Sequence, residues 1–171
     1  MRTIAKEYPL DLTRVVTIGH SVGGHLALWA AARSRLPEGS PLHRDDPLPL
    51  RAAIALGGPG DLRDFHGYAQ KICGAENVIE KLMGGAPDAV KDRYAQASPV
   101  ELLPLGVHQV LIVGADDGVM PGTAREKYEA AAKRAGDTVE VVVVPGGHFE
   151  VIAPTSTAWP IVRNRIVQLL K

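Results

Sequence analysis

The sequence predicts an α/β protein, a three-layer sandwich built on a mostly parallel sheet of about four strands. Two observations predict it. Four short β-branched runs, at 14–18, 52–56, 109–113 and 139–144, alternate with helical stretches. Each run is almost continuously apolar, as strands covered on both faces are, rather than alternating with polar residues.

The elements follow in order. After the first run comes an Ala/Leu-rich helix from Val22 to about Arg35, then a loop punctuated by Pro37, Pro41, Pro47 and Pro49. The second run ends at Leu56. Beyond it, residues 59–104 do not extend the strand pattern; they hold Asp61, Phe65, His66, Tyr68 and helical stretches at 77–83 and 89–97. This segment reads as an insertion lying over the strand ends, a cap over a pocket. After the third run, Thr123-Ala124-Arg125-Glu126 has the form of a capping box, opening a helix that ends at Gly136. After the fourth, Ser156 or Thr157 caps a last helix with the apolar stripe Trp159, Val162, Ile166, Leu169 and Leu170. Trp29 and Trp159 read as core residues. Residues 1–171 form one domain by this reading.

Composition narrows the function classes. Nineteen basic residues balance 19 acidic ones. A balanced chain has no electrostatic footprint for nucleic acid or for an anionic membrane, so neither is expected as a partner. Cys73 is the lone cysteine. It has no companion for a disulfide or metal site and reads as a buried or half-buried thiol. The first residues lack an apolar signal region and no run reaches membrane-spanning length, so a cytoplasmic protein is the expectation. No histidine pair has metal-ligand spacing beside a carboxylate, so no metal and no cofactor are expected.

The chemistry concentrates at Gly19-His20-Ser21-Val22-Gly23, with Gly24 behind it. A G-x-S-x-G stretch between an apolar strand and a helix puts the serine on a tight, strained turn. The hydroxyl is lifted clear of the sheet, beside the first helical N–H groups. The glycines on either side of the serine are expected to leave room for backbone that a Cβ would obstruct. A Gly-rich turn with an idle serine is the alternative. In open parallel sheets, ligands bind beyond the C-terminal strand ends. Ser21 follows the first strand, Asp116 and Asp117 the third, and His148 the fourth. A serine needs a base to take its proton and a carboxylate to hold that base in one tautomer, and these residues supply the parts in the order nucleophile, acid, histidine. His20 and His25 flank the turn as packing or helix-face residues. His66 reads as a surface residue of the insertion, and His43 and His108 have no evident partner. Gly57-Gly58-Pro59-Gly60 follows a strand but lacks the spacing of a nucleotide-binding loop.

Three segments, 16–27, 110–121 and 144–149, together resemble the α/β-hydrolase superfamily, in its esterase, lipase-like and kynurenine-formamidase-like branches, which shade into prolyl-oligopeptidase-type peptidases. The resemblance covers essentially the whole chain, and Ala97-Ser98-Pro99 with Leu103-Pro104 is similar to that family's approach to its acid-bearing strand. It implies a catalytic Ser21, Asp117 and His148. Pro121 closes a D-x-x-V-P-like turn that sets the acid at Asp117, with Met120 where valine is usual. Asp116 is then a turn carboxylate, and Asp61 stays an alternative because some relatives carry the acid after the preceding strand. The resemblance also implies the Val22 N–H as an oxyanion donor and an acyl-enzyme route for a small ester, amide or formamide. Pocket residues at His20, Phe65, Tyr68 and Met83 complete the reading.

The chain departs from the family at its front. The serine-bearing strand is the first recognisable one, so the chain corresponds to the C-terminal half of the fold. The family's N-terminal strands are then expected to be absent, or to lie on a longer chain of which this is a fragment, and with them the His-Gly-Gly-type loop that supplies a second oxyanion donor. Two expectations follow: a homodimer through the exposed edge of the elbow strand, and a competing reading as a catalytically weak remnant acting as an interaction module.

Overall fold

A computed structural model describes residues 1–74, 77–120 and 122–171; Cys73 is described in its backbone only, so the expectation for its thiol lies outside the described residues, as does Pro121. Four strands, β1 (Val16–His20), β2 (Ala52–Leu56), β3 (His108–Gly114) and β4 (Val139–Val144), form one sheet in the order β1-β2-β3-β4. All three pairings are parallel. The first strand runs two residues further than its apolar run, because Gly19 and His20 stay in register with Ala55 and Leu56.

Alternate residues along the strands point to opposite faces and build two cores. On one face Ala53, Ala55 and Leu111 pack against α1 (Val22–Ala31) and α5 (Gly122–Arg134), through Leu28, Ala31, Tyr128 and Ala132. The small alanines of β2 let α1 lie close to the sheet. On the other face Ile54, Leu56, Val110, Ile112 and Val144 pack against Val162 of α6 (Trp159–Leu170). Helices on both faces of a parallel sheet make the three layers. Trp29 and Trp159 pack, partly buried, against these two cores.

The helix ends mix expected and unexpected chemistry. α1 is shorter than predicted, giving way to a 3-10 turn over Ala32–Arg35. α5 opens at Gly122, so Thr123 lies inside its first turn rather than ahead of it as a cap. The other end is as expected. Gly136 takes φ +91°, and its N–H and that of Asp137 donate to the carbonyls of Lys133 and Ala132 in a Schellman closure. Ser156 Oγ accepts from the N–H of Trp159 at the start of α6. In the stripe of α6, Leu170 is exposed.

Residues 59–104 form α2 (Leu62–Cys73), α3 (Val78–Met83), α4 (Lys91–Ala97) and a 3-10 turn over Pro99–Leu102. Asp61 caps α2 by accepting from the N–H groups of Arg63 and Asp64, and Asn77 caps α3 by accepting from Ile79 and Glu80. A separate small core of Leu62, Phe65, Ala69, Ile79, Met83 and Tyr94 ties these helices together and takes in Met120 from the loop after β3. Among the described residues, no helix is long and apolar enough to cross a membrane.

Candidate active site

The C-terminal ends of the strands bring the predicted residues to one end of the sheet, after β1, β3 and β4. Ser21 caps α1 with φ +54° and ψ −122°, and it is the one described non-glycine residue with a positive φ. That conformation costs an L-residue about 1–2 kcal/mol, so the packing around it must hold it in place. Gly19 supplies part of that packing, since a Cβ there would overlap the backbone of Gly23. The second motif glycine does not behave as predicted. A Cβ on Gly23 meets nothing within 4 Å, and the crowded position is Gly24, where a Cβ would stand 3.0 Å from the Cα of Gly58. A Cβ on Gly24 would meet Gly19 O, inside the motif, at the same distance, while the approach of helix α1 to the loop after β2 lies outside any motif read along the chain.

His148 Nδ1 donates to Asp117 Oδ2 across 2.9 Å, with the two side chains only 5% and 4% exposed. Asp117 Oδ1 accepts from the N–H groups of Val119 and Met120, each at 2.9 Å. The carboxylate is therefore fixed from both ends, and with Nδ1 carrying its proton the histidine's Nε2 is left as the base. Asp117, the acid candidate that the sequence favoured, is the carboxylate that meets His148. Asp116 is exposed, and Asp61 spends its carboxylate on capping α2.

Gly57, which sequence reasoning did not single out as a site residue, joins this pair to the serine. The N–H of Ser21 donates to Leu56 O at 2.8 Å. Gly57 follows with φ +58°, and a Cβ on it would lie 3.0 Å from Asp117 Oδ2 and 3.1 Å from His148 Nδ1. The available signal was Gly57-Gly58 directly after a strand, which was weighed only as a nucleotide-binding loop, set aside for its spacing, and not as clearance for a neighbouring side chain. Glu150 was also missed. Its carboxylate accepts from the N–H of Gly147 at 2.8 Å and braces the loop that carries His148.

The remaining histidines sort by their partners. His20 lies against His148, with ring centroids 4.5 Å apart. His25 is buried, its Nδ1 donates to Pro59 O at 3.2 Å, and burial pulls its pKa below the ordinary histidine value. His66 Nε2 meets Glu80 at 2.7 Å. His43 and His108 do have partners, contrary to expectation: His43 Nδ1 bonds to Leu36 O, and His108 lies 3.9 Å from Glu140. Of the predicted pocket residues, Phe65 and Met83 are buried in the core of the insertion and Tyr68 packs at its margin, because α2 and α3 turn their apolar faces toward each other. The apolar side chain open to solvent beside the histidine is Phe149, 65% exposed and 5.3 Å from the His148 ring. No group of three metal-ligating side chains occurs among the described residues.

Solved structures share this arrangement of strands and helices. A truncated carbohydrate esterase from gut microbiota superposes with a TM-score of 0.75 at 21% identity, over 99% of this chain and 64% of that one. A bifunctional GH43-CE protein of Bacteroides eggerthii gives 0.73 at 21% identity, over 98% of this chain and 25% of that one. The esterase Est2 of Thermogutta terrifontis gives 0.65 at 19% identity, over 98% and 58%. These likenesses are of fold, the α/β-hydrolase fold, and the chain spans less than two thirds of each protein's length. No curated protein matches the sequence. The BD-FAE family model matches residues 1–129, three quarters of the chain, and the protein belongs to that family of α/β-hydrolase-like esterases.

Proposed function

We propose that the protein is a serine hydrolase that cleaves a small carboxylic ester, or a related amide or formamide, through Ser21, Asp117 and His148. One observation carries the reading. A buried Asp117–His148 pair, its carboxylate anchored by two backbone N–H groups, lies against His20, the residue before the strained Ser21 turn, and this supports the reading. His148 Nε2 takes the Ser21 proton as Oγ attacks the substrate carbonyl. The imidazolium that forms is stabilised by the Asp117 carboxylate through Nδ1–H. The tetrahedral oxyanion accepts from the N–H of Val22, which opens α1 and has no carbonyl a turn behind it to bond. Protonation of the leaving group by His148 completes acylation, and water activated by the same nitrogen releases the acid.

Membership of an esterase family favours esters as substrates. The similarity to an acylaminoacyl peptidase, TM-score 0.65 at 19% identity, favours acyl amides as the second class. The test is covalent labelling with a fluorophosphonate probe, followed by turnover of p-nitrophenyl esters and acyl-amino-acid anilides. Labelling that is lost in Ser21→Ala is expected, with esters turned over faster than anilides. A folded chain that takes no label at Ser21 refutes the hydrolase reading and leaves the interaction-module alternative.

A further inference from the structure

Ser21 and His148 belong to opposite edges of the sheet, and something must hold them together. β1 and β4 are separated by two strands. At about 4.8 Å per strand, the loop carrying His148 has to reach back roughly 14 Å to meet the elbow. Asp117 fixes the loop above β3, and the bare Gly57 gives it passage above β2. The last step, to β1, is made by one side chain. His20 Nε2 lies 2.8 Å from the backbone carbonyl oxygen of His148, a contact between residues 128 apart in the chain. A carbonyl only accepts, so Nε2 of His20 carries a proton. Its ring also lies against the His148 ring, centroids 4.5 Å apart and tilted by 47°, with Phe149 against both at 5.6 and 5.3 Å.

We infer that His20 is a positioning residue: its Nε2–H holds the backbone of the base against the strand that carries the nucleophile. In this role it takes no part in proton transfer. The inference rests on the hydrolase reading for its effect on rate, but the contact itself is independent of that reading. The hydrogen bond and the ring contact are separable. Glutamine at position 20 keeps an N–H donor of similar reach without the ring, and phenylalanine keeps the ring without the donor.

The experiment has two arms. In the first, proton–nitrogen NMR of the histidine rings in the wild-type protein reads the tautomer directly. His20 is expected as the Nε2–H form with slowed exchange, and His148 as Nδ1–H. A His20 protonated only at Nδ1 overturns the inference whatever the catalytic result. In the second arm, His20→Phe is expected to slow fluorophosphonate labelling and to lower kcat about tenfold with KM within twofold, the pattern of a misplaced catalytic group. Its His148 Nδ1–H signal should broaden through faster exchange with water. His20→Gln should recover most of the labelling rate and the sharp signal. His20→Phe at the wild-type rate with an unchanged His148 signal overturns the inference, as does His20→Gln failing equally. If the wild-type chain takes no label at Ser21, the hydrolase reading fails, and the tautomer and exchange measurements still decide the role of His20.

Discussion

Alanine at Gly57 tests the site without altering any of its functional groups. The substitution has two costs. At φ +58° an alanine is strained by about 1–2 kcal/mol. For a chain of this length that lowers Tm by roughly 2–8 °C. The new Cβ also falls 3.0 Å from Asp117 Oδ2 and 3.1 Å from His148 Nδ1, where ordinary contact begins at 3.4 Å. One or both side chains must retreat by a few tenths of an ångström. Asp117 is held by two backbone N–H groups, so the displacement falls mainly on His148. A misplacement of 1 Å costs about a hundredfold in rate, so a third of that distance predicts a loss of roughly fivefold. Gly23→Ala is the matched control, because it sits in the serine motif yet its Cβ meets nothing within 4 Å. It should leave the rate within about twofold and raise stability by about 0.5–1 kcal/mol, the gain from replacing a helical glycine. The assay pairs second-order fluorophosphonate labelling rates with calorimetric Tm for the three proteins. Gly57→Ala with wild-type rate and Tm, or Gly23→Ala slowed as much as Gly57→Ala, refutes the packing argument.

Three further outcomes are expected. In Asp117→Asn the amide oxygen keeps the Val119 and Met120 N–H bonds, so the amide nitrogen faces His148 and forces its proton onto Nε2; kcat should fall about 10⁴-fold with the fold intact, and a loss under tenfold in ester turnover would contradict the assigned tautomer. His25 is kept neutral by burial, so its folded pKa lies below the ordinary value of 6.5. Above pH 6.5 it contributes no pH dependence, and below it the unfolded chain binds a proton that the folded chain resists. Stability should therefore fall as pH drops through 6.5, levelling only below the folded pKa, and Tm should drop less between about pH 7.5 and pH 5 in His25→Gln than in wild type; equal drops contradict this. Self-association through the outer edge of β1, where Ile18 is 43% exposed, should appear as a mass that rises with concentration in light scattering and falls again in Ile18→Lys; a strictly monomeric wild type across the series refutes it.

The sequence was most legible where a local pattern and its partner lay close together. β2 and β4 begin and end where their apolar runs do; β2 is buried at every residue, whereas β4 is mostly half-buried with Val143 exposed. The serine turn and the Asp117 turn were readable because each is a few residues long and dominated by its own backbone geometry. What escaped depends on contacts between distant segments. Gly24 answers to Gly58 as well as to Gly19 O, and Gly57 answers to residues 117 and 148, so the demands from residues 58, 117 and 148 are not visible along the chain. Phe65 and Met83 suggested a pocket because they are large and apolar in an irregular stretch. Their use in a satellite core became evident only once α2, α3 and Met120 were brought together. His20 was recognised as a neighbour of the elbow, but its partner is the backbone of a residue 128 positions away.

The strand order gives Ser21 and Asp117 unequal footing. Asp117 follows β3, an interior strand bonded on both sides, whereas Ser21 follows β1, a five-residue strand bonded on one. Edge strands open at lower free energy than interior ones, so amide exchange in Val16–His20 should outpace that in His108–Gly114. Each opening of β1 breaks the Ser21 N–H bond to Leu56 O and frees the strained serine turn. Under the proposed mechanism, labelling at Ser21 should then be lost at a temperature below that at which the cores melt.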